Sequence, residues 1–170
     1  MKAAGGVIIL LAFLLAALSV LKCDKARLQV LLSLRESLYV LGRELSEGQR
    51  ELWTVFWELA QKGGSEEVQH FFSALCAKRK EVGEKPFSTL WSECVCAALP
   101  TLGKEEAEEL LSLAPVLGRS DLDAQCAAIE RVCAAFEKHA AELRAHFAEK
   151  NRVTWGVSFS LGAFVVILLM

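Results

Sequence analysis

The chain has 170 residues, of which 54% are hydrophobic and 24% charged, with a net charge of −2. A near-neutral chain with no basic face is a poor match for nucleic acid. The charges are also unevenly placed. Every Asp and Glu, and all Lys and Arg except Lys2, lie between Lys22 and Arg152.

The first element is the uncharged run 3–21, flanked by Lys2 and Lys22 and containing eleven Val, Ile, Leu or Phe. At about 1.5 Å per residue it just matches a hydrocarbon core of about 30 Å, which predicts a transmembrane helix. A cleaved signal peptide is the competing reading. Its apolar stretch is shorter, about 7–15 residues, and ends in a small-x-small site that is missing here. Lys22, Lys25 and Arg27 follow this run, and Lys150 and Arg152 precede a second uncharged run at 153–170. Positive charge at these membrane ends places the central 22–152 segment in the cytoplasm.

Between the runs the apolar period is helical throughout, and no alternating stretch predicts a strand. Leu31, Leu34, Leu38, Leu41 and Leu45 form one stripe that continues the first helix. Gln49 to Gln61 is read as a second helix, with Trp53, Phe56, Trp57 and Ala60 inward. Lys62-Gly63-Gly64 ends it, and Ser65 caps a third helix with Glu66 and Glu67 in its first turn. That helix buries Val68, Phe71, Phe72 and Leu75 and ends at Lys78-Arg79-Lys80. After a turn at Gly83 to Pro86, a fourth helix buries Phe87, Leu90, Trp91, Cys94 and Val95. The fifth begins with Glu105, Glu106, Glu108 and Glu109 and buries Leu110, Leu111, Ala114 and Leu117, with Pro115 kinking its end. Ser120 opens the sixth, with Asp123 completing a capping box. Leu122, Cys126, Ile129, Cys133, Phe136, Ala140, Leu143 and Phe147 repeat as a heptad seam. No proline interrupts the sequence from there to Met170, so one helix is expected to run from the domain into the second span. The fold class is all-α: two terminal transmembrane helices flanking an antiparallel bundle of about six helices.

The sequence contains no catalytic constellation and no cofactor motif. His139 and His146 are about 10 Å apart along one helix, too far to share a metal without other ligands. Gly63-Gly64-Ser65 lacks the lysine and the strand of a phosphate loop. The six cysteines contain no paired metal motif and are read as thiols, mostly small buried hydrophobes. Glu105, Glu106, Glu108 and Glu109 suit a helix N-terminus, and they also offer a docking surface for a basic partner.

The organisation and one motif carry a resemblance. Leu117-Gly118-Arg119-Ser120-Asp121-x-x-x-Gln125 matches the Leu-Gly-x-Ser-Asp-x-x-x-Gln pattern of the bacterial stage III sporulation protein AB family. Trp91 and the C-terminal Val165 to Met170 agree with it. Near residues 46–49, where the family often has a Thr-Pro-Leu type turn, this chain has Ser46-Glu47-Gly48-Gln49. The resemblance implies a structural protein of a membrane complex linking mother cell and forespore, placed in the outer forespore membrane on the mother-cell side. Its domain would be similar to the helical domains of the type II secretion platform protein. Implied partners are other membrane proteins of the complex, a secretion-type ATPase, membrane lipid and further copies of the chain. A sensory membrane protein is the alternative, but almost nothing would protrude outside to bind a signal. A membrane enzyme would need ionisable residues in a span, and neither run has one.

Overall fold

A computed structural model describes residues 2–47, 50–117 and 121–169, with side chains given for 22–47, 50–117 and 121–147. Six α-helices make up the described residues: α1 (Lys2–Ser46), α2 (Leu52–Lys62), α3 (Glu66–Ala77), α4 (Phe87–Ala98), α5 (Lys104–Leu111) and α6 (Leu122–Leu169). A short 3₁₀ helix, Lys78–Glu81, follows α3, and no strand occurs among them beyond one isolated bridge, Val82 to Lys85. The all-helical expectation therefore holds. Residues 3–21 and 153–169 are helical in α1 and α6, but their side chains, and with them the reading of both runs as membrane spans, lie outside the described residues. No helix among the described residues is long and apolar enough to cross a membrane.

The spine of the domain is the antiparallel pair α1 and α6. Cys126 Sγ lies 3.7 Å from the Gly42 carbonyl, Cys133 Sγ lies 3.7 Å from that of Arg35, and Arg35 pairs with Glu137. Gly42 is where the two backbones come close: a Cβ there would sit 3.2 Å from Ile129 Cγ2. The other helices follow in chain order around the core, each packed on its neighbour, with α5 returning to α6.

Local sequence explains most helix ends. Ser65 Oγ accepts from Val68 N at 3.4 Å, so the expected cap of α3 is in place. Gly83, with φ of 125°, makes the turn after the 3₁₀ helix, in a region that L side chains avoid. Pro115 stops α5 instead of kinking it. Its ring would clash with the carbonyl of Leu111, where the helix ends, and residues 112–117 continue as turns. α6 begins at Leu122, and Asp121 Oδ1 accepts from Ala124 N at 3.1 Å. The residue in capping position is thus Asp121; Ser120 lies outside the described residues.

The predicted leucines of α1 are all buried, and Phe56, Phe71, Phe72 and Trp91 fill the centre with ring centroids 5.0–6.2 Å apart. Two residues expected to face inward are exposed. Trp57 is 59% exposed, because α2 buries only the narrow arc of Val55, Phe56 and Leu59. Leu122 is 45% exposed, at the very start of α6. Conversely Gln125, Ala128 and Val132 are buried although they lie off the seam. α6 packs against α5 as well as α1, so its buried arc is wider than a two-helix seam. Of the cysteines, Cys94 is buried, Cys76, Cys126 and Cys133 are half-buried, and Cys23 and Cys96 are exposed, so the small-hydrophobe reading fails for the last two.

Candidate functional site

The acidic start of α5 divides into two parts with different roles. Gly103 precedes the helix, and Glu106, three residues on, turns back so that its carboxylate accepts from Gly103 N at 2.5 Å. The same carboxylate accepts from Arg27 of α1, at 2.9 Å from Nε and 2.8 Å from Nη2. Glu106 is 0% exposed, whereas the Arg27 side chain is 35% exposed. Glu106 is therefore removed from any docking surface. It anchors α5 to the stretch of α1 just beyond residue 21. Gly103 leaves room for this approach, since a Cβ there would sit 2.1 Å from Arg27 Nη2, the movable end of that side chain.

Glu105, Glu108 and Glu109 remain on the outside. They line an open cleft of about 470 Å³ with Ser112, and with Ala135, Lys138 and His139 of α6. Lys104 lies 3.9 Å from Glu108 along α5, and His139 Nδ1 lies 3.8 Å from Glu142 along α6. Lys138 of the α6 wall likewise lies 3.9 Å from Glu142 along α6. These acids do not gather into a metal site: no group of three His, Cys, Asp or Glu among the described residues is placed to hold an ion.

α5 has only eight residues, too short to be stable by its own propensity. Besides Arg27, it is held by Trp91, whose indole Nε1 donates to the Leu110 carbonyl at 3.0 Å inside the core. Leu110, Leu113, Ala114 and Leu117 complete the attachment. The acidic face is consequently fixed relative to α1, α4 and α6.

The family motif falls on the α5–α6 connection. Leu117 and Gln125 are buried and Asp121 caps α6, so these three flank the connection. Gly118, Arg119 and Ser120 lie outside the described residues. Sequence reasoning missed Arg27, 79 residues from its partner with no local signal. It also missed Gly103, although glycine three residues before Glu106 is a legible cap.

A second ionic cluster lies at the α3–α4 end. Glu93 bonds Lys78 and lies 3.4 Å from Lys85. The Lys78 hydrogen bond holds the Glu93 carboxyl below its ordinary range, and Glu93 in turn raises Lys78. Burial pushes the thiols of Cys76, Cys94 and Cys133 up, so none of them is an activated nucleophile.

Comparison with known proteins agrees with the family resemblance. The family model described as stage III sporulation protein AB matches residues 2–170. A solved structure of a stage III sporulation protein AB superposes with a TM-score of 0.64 at 25% identity, covering 72% of this chain and 97% of its own. A search of curated proteins finds no match. The match from residue 2 to residue 170, together with the superposition, shows that this chain belongs to the stage III sporulation protein AB family.

Proposed function

We propose that the chain is a non-enzymatic structural component of a sporulation-specific, secretion-like membrane complex joining mother cell and forespore. In this reading 3–21 and 153–170 are transmembrane helices and 22–152 is a cytoplasmic platform that receives a secretion-type ATPase and other membrane proteins of the complex. The observation that carries it is the family match over residues 2–170, combined with a rigid bundle whose first and last helices run on into uncharged apolar sequence. A platform needs a fixed shape and fixed attachment more than a reactive group. The described part has that character, with no buried side-chain nitrogen or oxygen left without a partner.

Glu105, Glu108 and Glu109 are the docking surface for a basic partner. Deleting the gene should arrest sporulation after engulfment, and the chain should co-purify in mild detergent with other membrane proteins of the complex and with the ATPase. Replacing the three glutamates by Gln should weaken ATPase recovery while leaving the chain in the membrane fraction. Normal spores from the deletion strain would overturn the function, and undiminished recovery at low salt would overturn the docking surface.

A further inference from the structure

We infer that the two apolar runs pair with each other, as an antiparallel helix hairpin that continues the α1–α6 spine. This rests on the reading of both runs as membrane spans and adds which surfaces they bury. The α1–α6 spine holds one register throughout the domain. Cys126 with Gly42, Ile129 with Gly42, Cys133 with Arg35, and Glu137 with Arg35 are facing pairs whose residue numbers add to between 168 and 172. Leu28 and Leu143, at matching height in this register, are both packed on the core, so both helices still belong to the domain within seven residues of Leu21. Beyond that point both helices continue unbroken, α1 back to Lys2 and α6 on to Leu169.

Continuing the same register brings position 17 level with 151–155 and position 10 level with 158–162. The two runs thus lie side by side over nearly their whole length. Two straight helices crossing at about 20° would drift apart by roughly 10 Å over such a run, but a seven-residue repeat winds them together. On α1 the facing positions Gly42, Arg35 and Leu28 step back by sevens through Leu21, Leu14 and Val7, with Ala17, Leu10 and Ala3 in the adjacent row. The repeat of α6 steps on through Val157, Leu161, Phe164 and Leu168. In an all-apolar run hydrophobicity selects no face, so the choice falls to the domain's register. The occupant of each run's inner face is therefore the other run of the same copy. Spans of neighbouring proteins meet the outside of a two-helix unit.

The test uses the full chain in cell membranes. Leu10→Cys is combined in turn with a single cysteine at each position from 157 to 164, and the membranes are oxidised. Joined peptides are identified by mass spectrometry from the monomer and dimer bands separately. The native cysteines, all between residues 23 and 133, are left in place. Joining within the monomer should peak inside 158–162 and recur every three or four positions, several-fold above the troughs. Ala17→Cys scanned against 150–157 repeats the measurement, should one position fold poorly. A flat profile, or joining confined to dimers, in chains that resist carbonate extraction would overturn the hairpin and leave the spans intact. Chains that wash off with carbonate would overturn both.

Discussion

The ion pair between Arg27 and Glu106 should be strongly asymmetric to mutation. The Glu106 carboxylate is fully buried, while the Arg27 guanidinium keeps about a third of its side chain in water. Arg27→Met leaves a buried carboxylate with one remaining donor, Gly103 N. Breaking a buried pair in this way costs about 3–5 kcal/mol, and partial exposure of the arginine reduces this to about 3. Glu106→Gln leaves the arginine free to turn to water and still offers Gly103 an acceptor, so about 1 kcal/mol is expected. The double variant should cost less than the two singles together, since its second change removes the orphaned charge left by the first. The assay is urea unfolding of the full chain in mild detergent, followed by tryptophan fluorescence, alongside hydrogen exchange of the α5 amides. Protection of α5 should fall before that of α1 or α6. Equal costs, or Glu106→Gln as the costlier change, would refute the reasoning that burial of the acid dominates.

Two further outcomes follow from the chemistry of exposed and buried groups. In native protein a maleimide should modify Cys23 and Cys96 rapidly and Cys94 and Cys133 slowly, because the latter are shielded and their thiols raised by burial; equal rates measured by peptide mapping would contradict the packing. For the Lys78–Glu93–Lys85 cluster, the lowered carboxyl stabilises above the ordinary glutamate range and loses that effect as pH falls through its depressed pKa. The raised lysines stabilise below the ordinary lysine range and lose the effect as pH rises. The stability gap between wild type and Glu93→Gln should thus be open between about pH 4 and about pH 10 and closed at about pH 2, as read from urea midpoints. A gap that persists in acid would show that Glu93 acts through packing.

What could be read from the sequence was what repeats locally. The leucine stripe of α1, the Ser65 cap, the Gly63-Gly64 stop and the inward faces of α3 and α4 all follow from short-range spacing, and all are present. What could not be read was set by neighbours distant in sequence. Trp57 fits the helical spacing of α2 but points away from a core already filled by Phe56, Phe72 and Trp91. The heptad of α6 gave its contact with α1 but not Val132 or Gln125, which are buried because α6 packs on α5 as well. Within the acidic run, no feature of Glu105-Glu106-Ala107-Glu108-Glu109 distinguishes the buried carboxylate from its exposed neighbours except the glycine three residues before it. The Arg27 that selects Glu106 comes from the other end of the chain.

This dependence makes a prediction that separates charge from position. If the docking face works only as a cluster of negative charge, any change that keeps the charges should be silent. If it works because α5 is clamped in one orientation, disturbing the clamp should weaken binding with all the charges intact. Gly103→Ala is the discriminating change. At φ −70° and ψ 164° the backbone accepts alanine, and losing glycine at a helix N-cap costs at most about 1 kcal/mol. The new Cβ would nevertheless sit 2.1 Å from Arg27 Nη2 and 2.8 Å from Glu106 Oε2, so the ends of both side chains have to shift and the clamp is disturbed. Recovery of the basic partner should then fall towards that of the Glu105, Glu108 and Glu109 triple Gln variant, although Gly103→Ala leaves net charge unchanged. Wild-type recovery from a variant with α5 amides shown to exchange faster would mean that charge alone suffices. In that case the burial of Glu106 would serve stability and not recognition.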